Sequence, residues 1–384
     1  MLCFQEVQIA TWLNRQERYI ASHRIMCELN NNCYKKGLRS TIFAITGILI
    51  FLVIIQVVVD PYFHYHKPIT KYRLNDERYI NDGIARHFDY DAIITGNSLC
   101  QNFSTFQYDE LFGTNSVKLP YSGAGYKEIW ESLGRALEYN DGVKEVLVCM
   151  DLQDLDREAD WERYEGNPTY LYDDNVFNDI KYIFNKDAIY RGTLYNLIWT
   201  VTGHENTSMD EYSTWERETG PEVACSYLKP VTDDMVADSQ VFDEEDKDRE
   251  TKNLTQNVIK VIEANPNVIF RLVIPPSSIA RWCEYYERGE VQYRIDSLEY
   301  ALSVLLHYNN VEVYAFDDAF DITTDLNKYS DTIHYDSETN EWMLIQINEG
   351  KHRITNRSRS VYSEKTMKYY SGYIYDRLNV FISE

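Results

Sequence analysis

The chain has 384 residues, 44% hydrophobic and 26% charged, with a formal net charge of −23. That length allows one large domain or two modest ones, and the apolar share suffices for a real core. So negative a chain is excluded from gripping nucleic-acid phosphates. The charge is uneven. Before residue 41, Arg15, Arg18, Arg24, Lys35, Lys36 and Arg39 stand against Glu6, Glu17 and Glu28, a balance of +3 that leaves −26 for the remainder.

Residues 1–40 read as a cytoplasmic tail, and residues 41–59 are a run without any charged side chain. A bilayer core needs about 20 apolar residues in a helix. Lys35, Lys36 and Arg39 flank the run on one side and Asp60 closes the other. The excess of basic residues before it keeps the N-terminus inside and sends residues 60–384 outside, as an extracytoplasmic domain on a single-pass anchor in the cell membrane. Tyr62, Phe63 and Tyr65 then suit the outer interface. The run is longer than the apolar core of a signal peptide, and no small-residue cleavage pattern follows it.

Of seven cysteines, Cys100, Cys149, Cys225 and Cys283 follow the apolar run, widely scattered and with no C-x-x-C pair. That spacing holds no zinc, so no metal and no cofactor is expected. Disulfides are permitted outside the cell but not required in a domain of this size.

Along the exterior portion, 92–96 is a short apolar strand stopped by Gly96, and 105–112 suits a helix. Ser116 to Leu119 form a second strand, ended by Pro120-Tyr121-Ser122-Gly123-Ala124-Gly125. Residues 126–139 place Ile129, Leu133 and Leu137 on one helical face. Lys144 to Asp151 contain a third strand, 246–264 a helix, 268–274 a fourth strand before Pro275-Pro276, 291–308 a helix, Val311 to Ala315 a fifth strand, and Tyr362 to Leu378 a closing helix. Alternating strands and helices predict an α/β three-layer sandwich with a mostly parallel five-stranded sheet, preceded by one transmembrane helix. Residues 155–240 break the alternation. They are rich in Tyr, Trp and Asp, with a short helix over 175–185, and read as an insertion over one sheet edge. Such aromatic surfaces suit sugar rings, and equally suit the packing of an ordinary subdomain.

Ligands bind at the carboxyl ends of strands in such sheets. Ser98, Gly123 and Asp151 each follow a strand end, and the spacing Asp331-Thr332-Ile333-His334 puts a carboxylate and an imidazole on one side of a turn after the last strand. A serine hydroxyl is a weak nucleophile without a base, and the base works best when a carboxylate fixes its tautomer. Ser98, His334 and Asp331 supply those three roles. Oxyanion donors are the N–H groups of Ser98 and Gly123, with Gly125 as the other turn position, plus a side-chain amide. The α/β-hydrolase elbow G-x-S-x-G does not fit, because Cys100 stands at its last position and Asp331 and His334 are neighbours.

Gly96-Asn97-Ser98-Leu99, the Gly123 turn and Asp331-Thr332-Ile333-His334 resemble the SGNH (GDSL-like) hydrolase superfamily over residues 90–336, the insertion excepted. With its anchor, the chain is also similar to bacterial surface proteins that act beside membrane-bound O-acyltransferases in polysaccharide O-acetylation or teichoic-acid acylation. The resemblance implies Ser98 as nucleophile, His334 as base, Asp331 as orienter, and Ser98 and Gly123 as oxyanion donors. Two positions depart from it: Asn97 stands where the family has Asp, and Asp151-Leu152-Gln153-Asp154 where it has a G-x-N-like donor motif. Gln153 can replace that amide, whereas a charged Asp151 would oppose an oxyanion. The expected function is a serine esterase or O-acyltransferase acting on a cell-surface glycan or teichoic acid. The alternative is a catalytically degenerate binding or scaffold subunit of a surface-polymer acylation assembly. Expected partners are the polysaccharide or acyl donor and a membrane-bound O-acyltransferase.

Overall fold

The computed structural model describes residues 2–164, 167–226, 228 and 236–372. The chain divides into two units, residues 1–58 and 59–384. The first is one helix, Leu2–Val59, which runs unbroken through the expected tail and is long and apolar enough toward its C-terminal end to cross a membrane.

The second unit is α/β, built on one six-stranded sheet of order β2-β1-β3-β4-β5-β6. The strands are β1 (Ala92–Gly96), β2 (Ser116–Pro120), β3 (Glu145–Cys149), β4 (Ile269–Ile274), β5 (Val311–Ala315) and β6 (Arg353–Ile354). β1 to β5 pair in parallel, as expected from the alternation. The expectation of five strands falls short by one: β6 is a two-residue antiparallel edge on β5, too brief to leave an alternating pattern.

β1 and β3 are buried along their whole length, as strands covered on both faces must be. Side chains alternate between two cores. Ile93, Val146, Val148, Phe270 and Leu272 face one, while Ala92, Ile94, Leu147, Cys149 and Val273 face the other. The first core takes Ile80 and Ile84 of the helix Glu77–His87, Ile129, Trp130 and Leu133 of the helix Tyr126–Tyr139, and Leu298 and Leu302 of the helix Val291–Leu305. Tyr108 of the helix Thr105–Phe112, Trp282 of Ile279–Glu287 and Met343 of Ser337–Asn348 cover the second. Helix, sheet and helix make three layers.

Several elements differ from the sequence reading. The helix expected over 246–264 is one helical stretch that widens to a π-helix at Leu254–Ile259. The one expected over 175–185 shrinks to Ile180–Ile183, while a longer one, wide at Ala188–Leu194 and regular at Tyr195–Thr202, follows it. The closing helix is Arg359–Gly372, and the expected extension to 378 lies outside the described residues. Glu77–His87, Ile279–Glu287 and Ser337–Asn348 were not foreseen. In Glu77–His87 the buried face carries Asn81, Asp82 and Gly83, which mask the apolar period. Gly83 is required there, since a Cβ would sit 2.1 Å from the Tyr62 carbonyl oxygen. Cys100, Cys149, Cys225 and Cys283 are buried.

Candidate active site

The chain order of the sheet reverses between β1 and β3, and the crevice outside the strand ends at such a point is where α/β sheets take ligands. Ser98 lies there. β1 ends at Gly96, whose φ of +144° and close approach to Cys149 (an added Cβ would lie 2.8 Å from that residue's Cβ) require glycine. Asn97 caps the following turn, its side-chain oxygen accepting the Leu99 N–H at 3.0 Å. Ser98 then opens a 3₁₀ turn, Ser98–Cys100, half-buried at the crevice.

His334 arrives from a loop pinched by an antiparallel bridge between Tyr329 and Tyr335. Both tyrosines are fully buried and their hydroxyls tie this loop to the other strand ends: Tyr329 donates to the Pro276 carbonyl at 3.1 Å and Tyr335 to the Leu99 carbonyl at 3.0 Å. Ser278 donates to the Thr332 carbonyl at 2.6 Å. Residues 331–334 therefore form a tight turn, not a helical one. Asp331 Oδ1 accepts the N–H groups of Ile333 at 2.9 Å and His334 at 2.8 Å, which frees its other oxygen for the imidazole.

Ser98 Oγ lies 2.8 Å from His334 Nε2, and His334 Nδ1 lies 2.6 Å from Asp331 Oδ2. Burial would raise the Asp331 pKa, but the hydrogen bond and charge of His334 and the two backbone N–H groups outweigh it and hold the carboxyl down at about 2. The imidazole is thus aligned by a carboxylate on one side and faces a hydroxyl on the other, the arrangement in which a base can take a serine proton.

The N–H groups of Ser98 and Gly123 make no hydrogen bond with any described residue. Gly123 takes a φ of +66° in the turn after β2. That turn is braced by Glu77, which accepts the Ser122 N–H at 2.6 Å, and by Gln101, which donates to the Ser122 hydroxyl at 2.6 Å. The Gln153 side chain also makes no hydrogen bond with a described residue. It borders a small cavity with Leu99, Ile274, Tyr285 and Ile333, the neighbours of Ser98 and His334 among them. The Asp151 side chain is differently placed. Its Oδ1 accepts the Gln153 N–H at 3.0 Å and its Oδ2 accepts the Asn97 amide at 3.3 Å, so it braces the loops after β1 and β3 against each other. Asn97 donates a hydrogen bond that an aspartate at that position could not donate to a second carboxylate. Next to it, burial, aided by the charge of Asp151, pushes Asp154 up to about 8.

Residues 155–240 supply contacts that sequence reasoning missed. Trp215 stands edge-on to His334, with ring centres 5.5 Å apart. Arg217 stacks on Trp215 at 4.7 Å and brings Nη1 to 3.8 Å from Asp331 Oδ2. Arg163 and Tyr164 lie over Gly123, where an added Cβ would meet them at 2.9 and 3.1 Å. The alternation Trp215-Glu216-Arg217 is the only sequence signal of this role, and it has no meaning until the insertion folds back over the strand ends. No group of His, Cys, Asp and Glu among the described residues could hold a metal ion.

No family model matches the chain, and no curated protein does. Among solved structures, one provisionally named a platelet activating factor, from Streptococcus pneumonia, is similar at 11% identity with a TM-score of 0.36, covering 71% of this chain and 89% of that one.

Proposed function

We propose that the protein is a membrane-anchored serine acyl-ester enzyme of the SGNH type, an esterase or O-acyltransferase acting outside the cytoplasm on a surface glycan or teichoic acid. The observation that supports it is the unbroken line Ser98–His334–Asp331, with contacts of 2.8 and 2.6 Å. Ser98 Oγ attacks the ester carbonyl carbon while His334 Nε2 takes its proton. Asp331 keeps the proton on Nδ1 and stabilises the imidazolium. The free N–H groups of Ser98 and Gly123 receive the oxyanion, and the Gln153 amide serves as third donor. His334 returns the proton to the departing alkoxide, leaving acyl-Ser98. Water or an acceptor hydroxyl, deprotonated by the same His334, then attacks the acyl carbon, and His334 returns that proton to Ser98 Oγ as the acyl group leaves on the acceptor oxygen. The two outcomes differ only in the acceptor.

The test is labelling of the detergent-purified full chain with a fluorophosphonate, together with turnover of 4-nitrophenyl acetate, for the native protein and Ser98→Ala. Both signals should vanish in the variant. A native chain with neither would leave the scaffold function, to be sought as glycan binding that survives Ser98→Ala.

A further inference from the structure

Within residues 188–202 the usual arrangement of a surface helix is inverted. Ala188, Gly192, Thr193 and Asn196, all small or polar, are buried. Tyr190, Leu194, Ile198 and Val201, recurring at helical spacing, are exposed, Val201 at 86%. The segment before them also exposes Val176 (69%), Phe177 (90%), Ile180 and Phe184. An amphipathic helix ordinarily buries its large apolar face, and contiguous exposed apolar surface of this kind marks a contact with something outside the chain.

The position of this hairpin says what that is. Its buried side is packed on residues 60–65, which directly follow the charge-free run. Asp60, fully buried, accepts hydrogen bonds from the Tyr182 hydroxyl at 2.7 Å and the Tyr65 N–H at 2.7 Å. Tyr65 and His64 both reach Asp179, at 3.1 and 3.2 Å. Tyr62 stacks on Tyr182, and Gly192 meets Pro61 so closely that a Cβ would lie 2.5 Å from the proline Cβ. The exposed face is thereby fixed to the first residues after the run. Its composition also differs from the rest of the second unit: Lys181, Lys186 and Arg191 outnumber Asp179 and Asp187 where residues after 40 carry −26 in all, and Phe, Tyr and Trp are interspersed with Leu and Ile. Aromatic, aliphatic and basic side chains together are the composition of elements that lie in the headgroup region of a bilayer.

We propose that the 176–202 hairpin rests in the outer membrane–water interface, with Phe177, Tyr190, Leu194, Ile198 and Val201 among the lipid headgroups and upper acyl chains. The proposal rests on residues 41–59 spanning the bilayer. Packed together with residues 60–65, this segment holds the domain against the lipid surface.

The test uses the full chain with Cys3, Cys27 and Cys33 changed to serine, the remaining cysteines of the second unit being buried. Phe177→Cys, Val201→Cys and, on another loop, Val241→Cys are each labelled with an environment-sensitive dye and reconstituted in phosphatidylglycerol/phosphatidylethanolamine vesicles. All three side chains are already exposed, so the label disturbs no packing. Brominated lipid should quench the dye at 177 and 201 severalfold more than at 241, with blue-shifted emission at the first two. Water-like emission at all three overturns the proposal. Blue-shifted emission without lipid quenching also overturns it, in favour of a protein partner on this face. Alkaline carbonate extraction of the same vesicles reports the span separately: release of the chain removes the anchor and the proposal with it.

Discussion

Ser98 and His334, 236 positions apart, meet at 2.8 Å because Tyr335, the residue after the histidine, donates its hydroxyl to the carbonyl of Leu99, the residue after the serine. That buried hydrogen bond, with the Asn340 amide donating to the same carbonyl at 3.4 Å, helps set the separation of the two side chains. The loop that carries His334 is registered on the loop that carries Ser98.

The orienting role proposed for Asp331 is tested by Asp331→Asn. The amide keeps the shape but presents a donor in place of an acceptor to the imidazole, favouring the wrong tautomer. Turnover of 4-nitrophenyl acetate by the full chain should fall by about 10⁴-fold in kcat, with fluorophosphonate labelling slowed in parallel. A loss within tenfold would show that the turn, and not the carboxylate, holds His334.

Gln153→Ala examines the oxyanion hole. Removing one preorganised donor costs about 10²–10³ in kcat. The KM for the same ester should change little, because the amide acts on charge that develops only during the reaction. An unaltered kcat would leave the N–H groups of Ser98 and Gly123 as the whole hole.

Burial pushes Glu250 up to about 8, despite the Ser297 hydroxyl that donates to it at 2.6 Å. Between its ordinary 4.5 and about 8, the folded chain holds a proton that the unfolded chain has lost. Stability therefore falls as pH rises through that window. Glu250→Gln removes this slope. In urea unfolding its midpoint should gain on the native protein at pH 8 but not at pH 4. Asp331 has the opposite sign: held down at about 2, it stabilises the fold above its ordinary 3.8, and that contribution disappears as pH falls through about 2. A midpoint for Glu250→Gln that tracks the native protein at both pH values would contradict the assignment.

Gly96→Ala places a Cβ 2.8 Å from that of Cys149 at a φ of +144°. Strain and overpacking together should cost about 2 kcal/mol or more. Because Gly96 launches the Ser98 turn, the labelling rate should fall even at temperatures where the variant is fully folded. Native-like labelling in a destabilised variant would separate the strand from the site.

The five parallel strands were legible because a strand buried on both faces is a short apolar run stopped by Gly or Pro, as at Gly96 and Pro120. The helix Glu77–His87 was not, since its buried face carries Asn81 and Asp82, which need groups far along the chain: the Pro120 carbonyl accepts from Asn81 at 2.6 Å, and Asp82, besides its partner Arg86 one turn on at 2.8 Å, accepts from Arg135 at 3.0 Å. Local patterning cannot register a polar side chain whose burial is made tolerable by a distant group.

Composition and order by themselves determined the α/β class, the charge-free run and the nomination of Ser98, Asp331 and His334, because strand periodicity, hydropathy and side-chain chemistry are local properties. Only the tertiary structure decided which groups face one another. Hydrogen bonds work over about 3 Å, a tolerance that no sequence spacing conveys across 236 residues. That is why Asp151, singled out at the edge by its place after β3, is found bracing Asn97, and why Trp215 and Arg217, in a segment without a legible pattern, stand beside the imidazole and its carboxylate.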